Sequence, residues 1–313
     1  MFCEFGKFNV GFSVEEESLF DYFLSQTSFH KTVTMTMKES KNTSQEKEYV
    51  LGTHDDEIER LGLQHNVWRP RALDAWRRAG FTTGQTILDI GCGPGSASID
   101  LASIVGPSGK IIAVDRSARF LRTLEDLCRL RGISNLSTFE VDLNESELPS
   151  MATDGAWARW VFAFVKRPRH LLEAVTRSLK SGGIFVIHEY FDYSTWRLMP
   201  DSPELDEFVR KVMQSWRDDG GEPDIALSLP AWLHELGFHV KSLNPIIDVV
   251  PPTNFVWQWP MAFVQVGIRR LVDLGYFSPE RGVEISKAIA GRQSDPNSLM
   301  ITPAVLEVIA VRK

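Results

Sequence analysis

At 313 residues the chain can build one large domain or a domain with a cap, and its 43% hydrophobic and 24% charged content is ordinary for a globular protein. A net charge of −7 argues against a nucleic-acid surface. Three scattered cysteines (Cys3, Cys92, Cys128) with no CxxC pair argue against a disulfide framework or structural zinc and fit a reducing, cytoplasmic setting. No apolar run approaches the ~20 residues of a membrane span, and Glu4 makes the start of the chain a poor signal peptide.

Residues 1–48 mix aromatics with acids and then turn polar, and they read as a partly disordered extension, with Met35 or Met37 as the expected translation start. A helix is expected from His54 to Leu63 and on to Trp76, with Ile58, Leu61, Val67 and Trp68 as one stripe and a break or restart at Pro70. Thr86 to Ile90 reads as a short buried strand, followed by Gly91, Gly93 and Gly95 in a turn and a helix over Ser96 to Val105. Lys110 to Val114 is a second strand closing on Asp115. Ser117 is placed to cap the helix carrying Phe120, Leu121, Leu124 and Leu127. Leu136 to Val141, the segment from Gly155 to Val165, and Ile184 to His188 supply three further strands, with a helix starting at Pro168 between the last two. Strands alternating with helices predict an α/β, doubly wound, mostly parallel seven-stranded sheet.

Beyond Glu189 the pattern changes. Helices are expected over Glu204 to Arg217, Pro230 to Leu236 and Pro279 to Ala290, and strands over Phe238 to Ile247 and Val305 to Val311. The domain reading is therefore a core over 49–189, a helical cap segment over 190–225, the last core elements over 226–248 and 301–313, and a helical lid over 249–300.

The glycine turn is the chemical centre of the sequence. A strand, a glycine turn and a helix start a βαβ unit that binds a nucleoside or phosphate, although an ordinary strand-to-helix turn looks similar. Asp89 inside the strand end is an odd place for a charge unless it is used. Asp115, 20 residues after Gly95, is placed to accept from a ribose diol. A dinucleotide loop needs a third glycine at the G-x-G-x-x-G position, where this chain has Ser96, so the oxidoreductase reading is disfavoured.

Together, LDIGCGPG, IIAVDRS, FEVDLN and LKSGGIFVIHEY resemble the class I S-adenosylmethionine-dependent methyltransferases, over about residues 49–248 plus the last strand. The cast is similar to the ubiquinone/menaquinone-biosynthesis type that acts on small molecules. Ser181 stands where the family's turn usually has proline. The resemblance implies a Rossmann-like methyltransferase fold with S-adenosylmethionine as cofactor. Gly91, Gly93 and Gly95 would then line the methionine and ribose part, Asp115 would take the ribose hydroxyls with Arg116 beside the adenine, and Asp142 and Leu143 would hold the adenine. Arg159 and Trp160 would face the methionine end, Tyr49 would close over the cofactor, and Gln64 and Arg69 are weaker candidates there. Asp142 could instead cap its own loop, and Tyr49 could simply pack.

The cofactor's positive sulfonium favours carboxylates nearby, a role open to Asp89, and methyl transfer needs no metal. The acceptor is expected at the carboxyl end of the fifth strand. His188 or Glu189 is the candidate base there, and Tyr190, Tyr193 and Trp196 are candidate walls, although His188 also suits a hydrogen-bonded core position. Phe255, Trp257, Trp259 and Phe263 suit an aromatic lid or the core between cap helices. The function reading is methyl transfer to the O, C or N atom of a small-molecule acceptor, with no nucleic-acid or membrane partner and a homodimer among the allowed assemblies. The alternative is a cofactor-binding regulatory protein without catalysis.

Overall fold

The computed structural model describes residues 55–145, 148 and 151–313. Tyr49, the extension over 1–48 and the proposed start at Met35 or Met37 lie outside the described residues.

Helix α1 (Asp55–Ala79) runs unbroken through Pro70, where the sequence suggested a stop. Pro70 lies on the exposed side, so the backbone carbonyl that it leaves without a donor can turn to water, while Trp68, Ala72, Ala75 and Trp76 on the other side are fully buried. Burial of that stripe outweighs the lost bond. Strand β1 (Thr86–Ile90) leads through the glycine turn into α2 (Ser96–Val105). Strand β2 (Lys110–Asp115) leads into α3 (Ala118–Arg131), whose first turn is capped by Ser117 Oγ accepting from the Phe120 N–H at 3.2 Å. Next come β3 (Leu136–Glu140), β4 (Thr153–Arg159), α4 (Pro168–Ser178) and β5 (Leu179–Asp192).

After β5 the chain forms β6 (Arg197–Met199), α5 (Pro203–Asp218), α6 (Leu229–Glu235), β7 (Phe238–Ile246) and β8 (Val249–Val250). It closes with α7 (Gln258–Asp273), α8 (Pro279–Gln293), β9 (Leu299–Ile301) and β10 (Ala304–Arg312).

The seven-stranded sheet has the order β3-β2-β1-β4-β5-β10-β7. Strands β1 to β5 are parallel, and β10 runs antiparallel between β5 and β7. One face packs Leu88, Ile112 and Ile187 against Leu172 and Val175 of α4 and Leu233 of α6. The opposite face packs Ile87, Ile111 and Trp157 against Trp76 of α1 and Leu101 of α2. Burying each such side chain is worth roughly 1.5–3 kcal/mol, which fixes the register of these apolar strands. The order reverses between β1 and β4, and the crevice at that switch point is where open sheets of this kind bind ligands.

Strand β5 is longer than its apolar run. Pairing with β10 continues past Glu189 to Tyr190 and Asp192, and it carries Tyr190 to the ligand edge of the sheet. A small antiparallel sheet, β6-β9-β8, joins the segments after β5 and before β10. Helices α5 and α7 pack their aromatic faces, and α8 its Ile285 and Ile289, with Trp68 of α1 into a second core. No helix among the described residues is long and apolar enough to cross a membrane.

The third glycine of the turn is held by packing. Gly95 has φ +88°, and a Cβ there would lie 2.2 Å from Leu124 Cδ1 of α3. Gly95→Ala should therefore destabilise the fold by roughly 1–3 kcal/mol, from left-handed strain and overpacking combined. A thermal midpoint equal to that of the unaltered protein would contradict this.

Candidate functional site

One cavity opens at the carboxyl ends of β1, β2 and β4. Asp89, Gly91, Cys92 and Gly93 line it from the β1 turn, Asp115 and Arg116 from the end of β2, and Asp142, Leu143 and Asn144 from the loop after β3. Arg60, Leu61, Gln64 and His65 of α1 close it from above. Arg159, Trp160 and Val161 divide this polar half from an aromatic half lined by Tyr190, Tyr193, Trp196, Trp216, Trp259 and Phe263.

The three glycines do different work. A Cβ on Gly93 would meet only Leu61 Cδ1, at 4.0 Å, so the backbone there presents open space to a ligand. A Cβ on Gly91 would lie 2.5 Å from Val161 Cγ2, so Gly91 lets the exit turn of β4 close against the loop. Gly95 does not line the cavity; it braces the loop on α3.

Asp115 ties the loop together. Its Oδ2 accepts from the Gly93 N–H at 2.8 Å and its Oδ1 from the Ser117 N–H at 2.9 Å. The Arg116 N–H bonds the same carboxylate, and with three backbone donors on its four lone-pair sites Asp115 retains acceptor capacity for a ligand hydroxyl. Burial raises the Asp115 pKa, and these backbone bonds oppose the rise. Asp89 is fully buried and accepts from Ser98 Oγ at 2.5 Å, and burial pushes its pKa up to about 6. Asp142 caps its own loop, where its Oδ1 accepts from the Asn144 N–H at 3.0 Å, and also lines the cavity.

Arg159 ends β4 as a half-buried side chain, and burial pulls the pKa of its guanidinium down to about 10, so it stays charged at neutral pH. Its Nη2 donates to His65 Nδ1 at 3.1 Å, its Nη1 is buried without a partner, and it sits 5.2 Å from the Trp160 ring centroid. Trp160 has φ +52°, a rare conformation for a bulky residue. This turn aims its ring into the cavity, parallel to Tyr190 at 5.4 Å and to Trp259 at 5.5 Å. Trp68 meets both tryptophans edge-on.

Neither candidate base reaches the cavity. His188 is fully buried behind the sheet edge, with Nε2 3.1 Å from Glu307 Oε2 and its ring edge-on to Trp157. Glu189 points into the core, where its Oε1 accepts from the Val161 and Phe162 N–H groups at 2.6 and 2.7 Å. These bonds hold the turn that aims Trp160. Trp257 is also core and Phe255 is half exposed, so the aromatic stretch splits: Trp259 and Phe263 line the cavity and the other two do not. Arg69 lies outside the cavity and pairs with Asp100. Arg60, His65, Asn144 and Trp216 were missed as site residues. No local pattern marks Arg60 and His65, and α1 became a wall only through packing.

Burial pushes the Glu189 carboxyl up to about 8, opposed by its backbone bonds. An unfolded glutamate titrates near 4.5, so between these values the folded state holds a proton that the unfolded state releases. This site's contribution to stability is complete below the unfolded value and declines as pH rises toward the folded one. The thermal midpoint should fall as pH is raised from about 5 to about 8, and Glu189→Gln should flatten part of that slope. A slope unchanged in Glu189→Gln would count against a protonated Glu189.

Residues 81–221 match the family described as methyltransferase domain. An uncharacterized 37.1 kDa protein in transposon TN4556 of Streptomyces fradiae is 30% identical over 201 residues, 62% of this chain and 54% of that protein. The ubiquinone/menaquinone biosynthesis C-methyltransferase UbiE of Pseudomonas savastanoi is 26% identical over 149 residues, 47% of this chain and 57% of that enzyme. The chain thus spans about half the length of these curated relatives. A putative methyltransferase from Bacillus halodurans superposes with a TM-score of 0.51 at 13% identity, covering 77% of this chain and 98% of that one. At that identity the likeness is one of fold.

Proposed function

Because the chain carries a class I S-adenosylmethionine-dependent methyltransferase domain, we propose that it moves a methyl group from S-adenosylmethionine to a small-molecule acceptor. The observation that carries this reading is the two-part cavity, with an open glycine and two buried carboxylates on one side and parallel aromatic rings on the other. When bound, S-adenosylmethionine supplies an electrophilic methyl group on a cationic sulfur.

The residues fit that group. Gly93 leaves room for it, and Asp115 keeps acceptor capacity for the ribose hydroxyls. Arg116, Asp142 and Leu143 flank the adenine position, and Asp89 offers negative charge in the polar half. Arg159 Nη1 and Trp160 Nε1 are buried donors without partners, which suits the carboxylate of the methionine part.

Catalysis in this reading is mainly orientation. Trp160, Tyr190 and Trp259 hold a flat or apolar acceptor in the aromatic half and exclude water. That half contains no carboxylate or imidazole among the described residues, and burial keeps the Tyr190 and Tyr193 hydroxyls protonated. The acceptor therefore brings its nucleophilic atom in reactive form. A cytoplasmic setting without nucleic-acid or membrane partners belongs to the same reading.

Metabolite extracts incubated with methyl-labelled cofactor and read by mass should yield methylated products, most of them apolar or aromatic. Absence of any labelled product while the cofactor still binds would remove the catalytic reading. Asp115→Ala should weaken cofactor binding in calorimetry at least tenfold (~1.4 kcal/mol). Unchanged binding would overturn that assignment.

A further inference from the structure

Arg159 is a charged side chain lining the cavity, and something must aim it. Its guanidinium can only donate, so His65 Nδ1, 3.1 Å from Nη2, must accept. The ring proton is then on Nε2, which lies 3.0 Å from Asp100 Oδ2 and donates to it. Asp100 is held in turn by Arg69, whose Nε and Nη2 reach its two oxygens at 2.7 and 3.1 Å.

We infer that Asp100 and His65 form an orienting relay that fixes the tautomer of His65 and aims Arg159 at the carboxylate of the bound methyl donor. The relay rests on the donor-site reading given above and adds two residues of α1 and α2 to it. The His65 side chain is 6% exposed and that of Asp100 15%, so water does not replace either partner freely. Burial lowers the His65 pKa, against the pull of Asp100, and keeps the ring neutral and able to accept. For Asp100 burial works upward, but the bonds from His65 and Arg69 prevail and hold the carboxyl below its ordinary range. The charge of Asp89 on β1 opposes the effect of burial on Arg159 and favours its charged form. His65 and Asp100 are thus positioning residues that act through Arg159.

Asp100→Asn tests the tautomer directly. An amide there can donate to Nε2, which moves the ring proton to Nδ1 and sets N–H against N–H at Arg159. The probes are S-adenosylhomocysteine, which has the carboxylate, and 5′-methylthioadenosine, which lacks the whole amino-acid part. Calorimetry should give Asp100→Asn and His65→Ala about tenfold weaker binding of S-adenosylhomocysteine, with 5′-methylthioadenosine unchanged within about twofold. His65→Asn, which keeps an acceptor near the Nδ1 position, should recover most of the loss seen in His65→Ala. Equal losses for both ligands would make the pair merely structural and overturn the relay. So would undiminished S-adenosylhomocysteine binding in Asp100→Asn and His65→Ala when Arg159→Ala binds poorly, although the anchor role of Arg159 would then stand. Undiminished binding in Arg159→Ala would overturn anchor and relay together. If the unaltered protein binds neither ligand, the donor-site reading itself fails and takes the relay with it.

Discussion

The site depends on one buried carboxyl. Glu189 Oε1 accepts the Val161 and Phe162 N–H groups just after β4, in an interior where unpaired amides would cost roughly 1–3 kcal/mol each. With the turn held, Val161 lies where a Cβ on Gly91 would be, and Trp160 enters its left-handed conformation with its ring parallel to those of Tyr190 and Trp259. The Trp160 N–H adds a bond to the His188 carbonyl at 3.0 Å. A single interaction in the core thus couples the glycine loop to the aromatic wall, and the strain at Trp160 is sustained by the bonds around it.

The two halves of the cavity use burial in opposite ways. In the polar half, low dielectric makes each donor and acceptor count. Asp115 and Asp89 are both fastened by hydrogen bonds, while Arg159 keeps one donor free. In the aromatic half, ring contacts at centroid distances of 4.8 to 5.5 Å join Trp68, Trp160, Tyr190 and Trp259 into a rigid surface. Such a surface selects by shape and polarity more than by individual hydrogen bonds. Trp68 of α1 and Trp259 of α7, far apart in the chain, meet there in a core separate from the two faces of the sheet.

Position on a strand did not predict exposure at the ligand edge. Consecutive residues of β5 alternate between faces, so Glu189 turns into the core opposite Tyr190, while His188 shares the face of Tyr190 but lies two residues short of the cavity, where it meets Glu307 of β10. His188 and Glu189 have the chemistry of a base and lack the access. Glu307 pairs with His188 from a strand 119 residues later, a partner that no local pattern announces. The aromatic run after residue 254 splits for a similar reason. Trp257 and Trp259 lie on different sides of a helix start, one facing the core and one the cavity.

The sequence by itself determined the alternation of strands and helices, the parallel sheet and the glycine loop with Asp115 at its chemical centre, because these follow from local periodicity and from residues close together in the chain. It also pointed to Arg159 and Trp160, which sit at a strand end that the pattern made visible. Only the tertiary structure decided that α1 runs through Pro70, that Arg60 and His65 form a cavity wall, and that Glu189 is a strut. These outcomes depend on which faces are buried against distant elements. Burial sets the charge and the hydrogen-bond partners of a side chain, and a periodicity read along the chain contains neither.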